Sequence, residues 1–449
     1  MSAVVRSPLL LRPGGNAGPM PLTGTQRLLT GATVIVDATV VLTGRIEPGL
    51  LTRAVHAVCQ RHESLRTTIH LADDLQVVHG YTAGAVSLER FSVPPERLLP
   101  TVAELARREL DPQTLPVFRC VVVSAGPELH AVHLAVPHAV SDLVSLHVVA
   151  RDFLEFLRAA MLVQAPSLPP VRAQFADYLR WREELLHDEG TWAEGAAGAR
   201  ALRFWSDKLT GAAAPAFGHV RSGPDRLDRM TFRHGTVDPE LTAQLLRVCA
   251  EARCSMFHVV LAAFEEAVAR QTGTADVTTW CLVHGRGRPQ LRETVGPLTE
   301  ETVFRHLVRA PSRREYLTKL ATDVLLTYAH QDIPLTALRP HADAVRRWYG
   351  NRRFRSMLLQ YRPLPIGADL QPDLPGVEAA FPPGSAAMPA FRLPGIALVS
   401  VDRVADRLEV QLMYDARVWP DAAMRELLAG FLDSCRSFAH RPDEPLTTR

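Results

Sequence analysis

Lysine is nearly missing from this chain: of its 50 basic residues only Lys208 and Lys319 are lysines, the others being arginine. That bias, with abundant Ala, Val, Leu and Pro, is what a GC-rich coding sequence produces and says little about mechanism. An excess of either charge is missing too, because 50 basic residues face 48 acidic ones and the formal net charge is +2. That balance gives no reason to expect nucleic acid or a membrane as the main partner. Cysteine is sparse: Cys59, Cys120, Cys249, Cys254, Cys281 and Cys435 are the six in 449 residues. They form no CxxC pair and no His-flanked ligand spacing, so no metal site is expected. All six read as reduced core or near-core residues. Cys249 and Cys254, five apart in a helical pattern, are expected on different sides of their helix. Residues 1–20 contain Arg, Pro and Gly but no long apolar core, which excludes a signal peptide or membrane span there. They read as a disordered leader, and a reducing cytoplasm is the default location. Aromatic residues are only 6% of the chain and do not identify a substrate. A GxSxG elbow is also absent, which argues against a serine nucleophile.

What is present is an ordinary globular composition, 47% hydrophobic and 22% charged, and enough chain to bury two cores. In the first half, β-branched and apolar runs predict strands at 33–42, 65–69, 75–78, 118–123 and 129–136. Leu51, Ala54, Val55 and Val58 give residues 50–62 helical spacing, and a further helix opens at Gln174. Residues 158–224 change character, with Pro166, Pro169 and Pro170 and then Gly190, Gly195 and Gly198; they read as the connection between halves. The second half repeats the grammar, with strands at 231–237, 276–283, 356–361, 396–401 and 408–414. Its helices are predicted at 241–250, 255–271, 314–330 and 421–438. The Pro- and Gly-rich stretch 363–391 reads as one long loop, of a length that is usually functional or mobile. Strands alternating with helices predict an α/β layer architecture with mixed sheets.

One segment carries chemistry. The apolar strand over 129–136 runs through Pro137 into His138, Asp142 follows four residues later, and a helical pattern begins at Leu143. A histidine at a strand end is held rigidly while its ring faces a cavity, as acid–base or positioning chemistry requires. A buried Asp142 needs a cationic partner, because an unpaired buried carboxylate is strongly penalised; the alternative is an exposed helix N-cap. Ser141 and Ser145 read as residues that cap the helix or hold the loop.

Pro137-His138-Ala139-Val140-Ser141-Asp142-Leu143 resembles the HHxxxDG motif of the condensation domains of nonribosomal peptide synthetases and their chloramphenicol-acetyltransferase-like relatives. The second His and the Asp match; Pro137 stands for the first His and Leu143 for the Gly. Seven further segments resemble the family in order. Pro21-Leu22-Thr23-Gly24-Thr25-Gln26 is similar to PLSPAQ, and Arg61-His62-Glu63-Ser64-Leu65-Arg66-Thr67 to RHExLRT. Gln174-Phe175-Ala176-Asp177-Tyr178 is similar to QYADY, and Phe204-Trp205 with Leu209 to YWxxxL. His284-Gly285-Arg286-Gly287-Arg288-Pro289 resembles the segment containing AGRxRP, Val295-Gly296-Pro297 part of VGxFVNT, and Ala329-His330-Gln331-Asp332-Ile333-Pro334 AHQDxPF.

The resemblance implies two acetyltransferase-like subdomains in a V-shaped pseudo-dimer with a tunnel between them. The expected boundaries are 21–180 for the first, 181–224 for the connection and 225–449 for the second. It implies a condensation-type acyltransferase that joins an acyl or aminoacyl thioester to an amine or hydroxyl, giving an amide or ester in natural-product biosynthesis. No cofactor of its own is expected: phosphopantetheine arrives on acyl or peptidyl carrier proteins acting in trans, and the protein is expected to be a monomer. His138 is the catalytic residue, as base or as oxyanion stabiliser. Arg286 is the expected partner of Asp142, joining the subdomains beneath the site. Pro137, Ser141, Ser145, His284 and Tyr361 are the candidate tunnel residues. Val283 to Arg286 resembles the end of the EGHGR motif of epimerisation domains, but Leu282 occupies the position of its glutamate, which disfavours an epimerase. Glu300 and Glu301 either sense a cationic substrate or are solvated; solvation is the expectation. Two other functions are open: a non-catalytic recruitment or gating module, and a transferase using coenzyme A thioesters with a small diffusible acceptor.

Overall fold

The computed structural model describes residues 18–30, 34–187, 197–213, 230–339, 342–350, 357–363, 370, 372–382 and 397–446. The expected leader lies mostly outside them, but its last residue, Met20, is buried and pairs with Gln76 in a small three-stranded sheet.

The first half is built on β1 (Ile35–Thr43), helix α1 (Pro48–Arg61), β2 (Val86–Ser92), β3 (Phe118–Ser124), β4 (Leu129–Pro137) and helix α2 (Leu143–Leu162). β4 is antiparallel to β1 on one side and to β3 on the other, while β2 and β3 run parallel. β4 is central, and its run of Ala, Val and Leu is buried on both faces, as a strand covered by two layers must be. On one face Val132, Leu134 and Val136 meet α1 and α2, whose buried residues include Leu146, Val149, Phe153 and Leu157. That i, i+3, i+7 stripe is what fixes α2 against the sheet. On the other face Ala131, Val121 and Val123 pack under the helix Leu98–Ala106.

Helix α3 (Phe175–His187) packs against residues of both halves, Met20 and Val78 of the first and Leu291 and Leu298 of the second. The second half continues with α4 (Ala197–Leu209), β5 (Thr231–Val237), α5 (Pro239–Glu251), α6 (Met256–Thr272), β6 (Asp276–Val283), β7 (Glu300–Leu307) and α7 (Arg313–Ala329). It closes with β8 (Met357–Arg362), β9 (Glu378–Ala380), β10 (Ala397–Val404), β11 (Arg407–Tyr414) and α8 (Asp421–His440). Its sheet has the order β7-β6-β8-β10-β11-β5, with β8 parallel to both of its neighbours. The helix α6 is apolar nearly all round because it is enclosed by the sheet, α7 and α8.

Two boundaries differ from the expected ones. Glu378–Ala380 leaves its own half and pairs with β1, so the first sheet reads β9-β1-β4-β3-β2 and one edge is completed by the second half. The stretch 363–391 is therefore not a loop throughout. Helix α4, expected in the connection, buries Trp205 and Leu209 with Trp280, Leu358 and Leu398 and belongs to the second half.

The cysteine reading is also corrected in one respect. α5 ends at Glu251 and the chain reverses through Arg253 at φ 52°, so Cys254 lies outside the helix and folds back onto Cys249.

A buried polar knot holds α7 to the second sheet. His306 sits between Glu265 (Nδ1, 2.8 Å) and Asp323 (Nε2, 2.9 Å), Tyr316 donates to Glu265, and Lys208 of α4 pairs with Asp323. Burial opposes the imidazolium, but the two carboxylates outweigh it and raise His306 to about 9. A folded pKa above the unfolded one gives stability that is complete below about 6.5 and disappears as the pH rises through about 9. Melting temperatures measured from pH 6 to pH 10 should fall across that window, and His306→Gln should flatten the fall.

Candidate active site

His138 lies directly beyond β4. Its backbone N–H donates to the Val34 carbonyl at 2.7 Å, so the sheet ladder resumes one residue after Pro137, which has no N–H to give. Pro137 is thus accommodated at the end of the strand, opposite Ile35, and its carbonyl accepts from Val140 in a tight turn. The His138 side chain is 7% exposed, and its Nδ1 lies 2.8 Å from the Ser141 carbonyl. A carbonyl can only accept, so Nδ1 carries the proton and Nε2 is the basic nitrogen. Burial lowers the pKa of His138 in spite of the opposing pull of the Ser141 carbonyl and Asp142. The ring is therefore neutral near pH 7.

Asp142 is both N-cap and buried ion-pair partner. Its Oδ1 accepts from the Ser145 N–H at 2.7 Å, the Ser145 hydroxyl at 2.8 Å and Arg286 at 2.9 Å. Its Oδ2 accepts from Arg286 at 2.9 Å, from the Leu298 and Thr299 N–H groups at 3.0 Å each and from the Thr299 hydroxyl at 3.1 Å. Burial alone would raise this carboxyl; the Arg286 charge and these donors hold it below the usual range. Arg286 also donates to the carbonyls of Thr294 and His284, and Ser145 closes the circuit by hydrogen bonds to both polar groups of the Gly296 backbone. The predicted pairing across 144 residues is therefore made, and it pins the loop 284–299 of the second half under the start of α2.

Leu143 carries no strain: it is the first residue of α2 and is not among the residues with positive φ. Ser145 holds the loop as expected, while Ser141 contributes its carbonyl to His138. His284 stands exposed at the end of β6, where its Nδ1 accepts from the Arg286 N–H at 3.0 Å. Tyr361 does not join this cluster. It packs against the core of the second half, on the strand face shared with Met357 and Leu359, and burial raises it to about 12. Glu300 is not solvated: it forms a nearly buried ion pair with Arg182 of α3.

Two features lie outside the expectations from sequence. Asp152, ten residues into α2, is fully buried and accepts from Arg61 and His62, both at 2.8 Å, and from Arg151. Arg151 continues to Glu293 at 2.6 Å, so α2 grips the same loop at a second point. A carboxylate in the middle of an apolar helix stripe is the available signal. The second feature is Gly285, at φ +66°, where a Cβ would lie 2.0 Å from the Leu298 carbonyl oxygen. Gly285→Ala should displace the loop and cost at least about 1 kcal/mol, read as a lowered melting temperature together with weakened activity.

A family model for the condensation domain matches residues 28–448. The chain belongs to the condensation domain family. It is 27% identical over 388 residues to the dimodular nonribosomal peptide synthase of Bacillus subtilis, an alignment covering 83% of this chain and 16% of that synthase. The chain thus spans only a small part of the length of the curated relatives it matches. Among solved structures, the SgcC5 protein of Streptomyces globisporus superposes with a TM-score of 0.76 at 22% identity, covering 95% of this chain and 100% of that one. The X-domain in its complex with OxyB from teicoplanin biosynthesis gives 0.75 at 21%, covering 98% and 97%. At these identities the superpositions establish the condensation-domain fold of mixed sheets and helices. Among the described residues no helix is long and apolar enough to cross a membrane, and no group of three or more His, Cys, Asp or Glu side chains is arranged to hold a metal ion.

Proposed function

We propose that this condensation domain is catalytically active and joins a donor acyl or aminoacyl thioester, carried on the phosphopantetheine arm of a carrier protein, to an amine acceptor. The observation that supports it most is the state of His138: buried, neutral, and fixed by Ser141 so that its basic nitrogen is Nε2. In this reading Nε2 takes the proton of the attacking amine as nitrogen bonds to the thioester carbon, and as the C–S bond then breaks that proton passes to the departing sulfur, which leaves as the thiol of the arm. Asp142 and Arg286 position this histidine through the loop they fasten and take no proton themselves. Support also comes from the relatives, which include a nonribosomal peptide synthase, though the chain matches only a small part of it.

Incubating the chain with carrier-bound and with coenzyme A-bound donors tests the reading. Amide formed from the carrier-bound donor supports it; turnover of coenzyme A thioesters alone would favour the diffusible-substrate transferase. A second reading, recruitment of a tailoring enzyme without catalysis, is favoured by Pro137 and Leu143 in the motif and by the likeness to an X-domain solved with OxyB. It predicts partner binding with neither thioester consumed.

A further inference from the structure

The end of helix α5 closes in a turn that its sequence turns into a chemical site. The Arg253 N–H donates to the Ala250 carbonyl at 3.3 Å and the Cys254 N–H to the Cys249 carbonyl at 2.9 Å, with Arg253 in the left-handed region at φ 52°. These are the paired bonds of a Schellman closure, in which the third residue before the cap, Ala252, and the second after it bring their side chains together. Those two positions are ordinarily apolar; here both are cysteines, so the backbone closure sets their side chains beside each other. Neither is joined to any other cysteine.

We propose that Cys249 and Cys254 form a redox-active dithiol that closes reversibly to a disulfide with hydroperoxides and captures thiophilic trivalent arsenic. Cys254 is partly exposed and Cys249 is buried, so an oxidant meets Cys254 first. The contact also draws the Cys254 thiol below the usual range and pushes Cys249 above it, which makes Cys254 the better nucleophile. With hydrogen peroxide, the Cys254 sulfur attacks as the thiolate, the O–O bond breaks to give a sulfenic acid and hydroxide, and the proton that Cys254 gave up joins the hydroxide as one water. Cys249 sulfur then attacks the sulfenic sulfur, the S–O bond breaks, and the Cys249 proton leaves with the hydroxide as a second water. Two thiols and one peroxide thus become one disulfide and two waters. The other four cysteines cannot compete: Cys59, Cys120, Cys281 and Cys435 are all 0% exposed, and burial pushes every one of their thiols upward.

The site lies in the second half, on the sheet face that packs α5, α6 and α8, with Tyr361 near Cys249. Neither cysteine takes part in the hydrogen-bonded cluster around His138, Asp142 and Arg286. Its partners are thus oxidants and arsenicals rather than the acyl substrates proposed for the His138 site.

The test uses the full chain. Hydrogen peroxide treatment followed by alkylation and peptide mass spectrometry should show one internal cross-link, Cys249 to Cys254, reversed by dithiothreitol. Phenylarsine oxide should bind one equivalent, with loss of one water, and this uptake should fall at least tenfold in Cys254→Ser and in Cys249→Ala. Cys254 is partly exposed, so its replacement is compatible with the fold and keeps the test decisive if the Cys249 variant is unstable. Cross-links involving other cysteines, overoxidation of Cys254 without a cross-link, or arsenical uptake indifferent to Cys254→Ser would each overturn the proposal.

Discussion

Replacing His138 by alanine is expected to lower the rate of amide formation by roughly 10²- to 10⁴-fold, the range that a positioned acid–base group contributes. The expectation rests on how the ring is held. Strand β4 fixes the backbone, the Val34 carbonyl anchors the His138 N–H, and the Ser141 carbonyl selects the tautomer. The lost side-chain hydrogen bond is worth only about 1 kcal/mol, so the melting temperature should change little. A pH profile separates this role from a merely structural one. Because burial lowers the pKa of His138, the free base dominates above about pH 6.5 and the rate should be flat there. The acidic limb of the profile should fall below the pH at which an ordinary histidine titrates, and it should be absent from the residual rate of His138→Ala.

Asp142→Ala is expected to cost about 3–5 kcal/mol of stability, because it leaves the Arg286 guanidinium buried without its anion. The carboxylate accepts from Ser145, Leu298, Thr299 and Arg286, so its removal also orphans buried backbone N–H groups of the loop. Arg286→Ala should cost a similar amount from the other side. Replacing both at once with apolar residues of like size, Asp142→Leu with Arg286→Met, should recover a large part of either loss, because no unpaired charge then remains. Chemical denaturation of the three variants checks this directly. Retention of full stability by Asp142→Ala would show that the pair does not fasten the two halves. Activity should fall in all three, since each one frees the loop 284–299 from the helix that begins five residues after His138.

Much of this is legible in the sequence because the relevant patterns are local. The strand over 276–283 and the helix over 421–438 are read from their apolar runs, and both exist within two residues of the expected ends. Edge strands are the harder case. β7 reads Glu300-Glu301-Thr302-Val303-Phe304-Arg305-His306-Leu307, and its polar residues hide the alternation because Glu300 is nearly buried against Arg182, and His306 between Glu265 and Asp323, by partners distant in sequence. β9 spans only Glu378–Ala380 inside a Pro- and Gly-rich stretch, and it forms because β1 offers an unpaired edge, which no local pattern records. The Asp142–Arg286 pair is available only through resemblance, because spacing alone cannot connect residues 144 positions apart. The second grip, Arg151 to Glu293, has no comparable guide. Cys249 and Cys254 depart from their expected places for a local reason: helical spacing does not extend past Glu251, where Arg253 enters the left-handed region and reverses the chain.

The central claim is that the site around His138 makes acyl bonds. The most direct measurement is a single-turnover reaction of the intact chain with a carrier-bound aminoacyl or acyl donor and an excess of amine acceptor, followed by mass spectrometry of the carrier. The account predicts that the donor leaves the phosphopantetheine arm and appears as an amide, at a rate that His138→Ala reduces by at least about a hundredfold with little change in melting temperature. A donor that remains on the arm while the chain binds the carrier or a tailoring enzyme, or an amide that forms equally fast in His138→Ala, would contradict it.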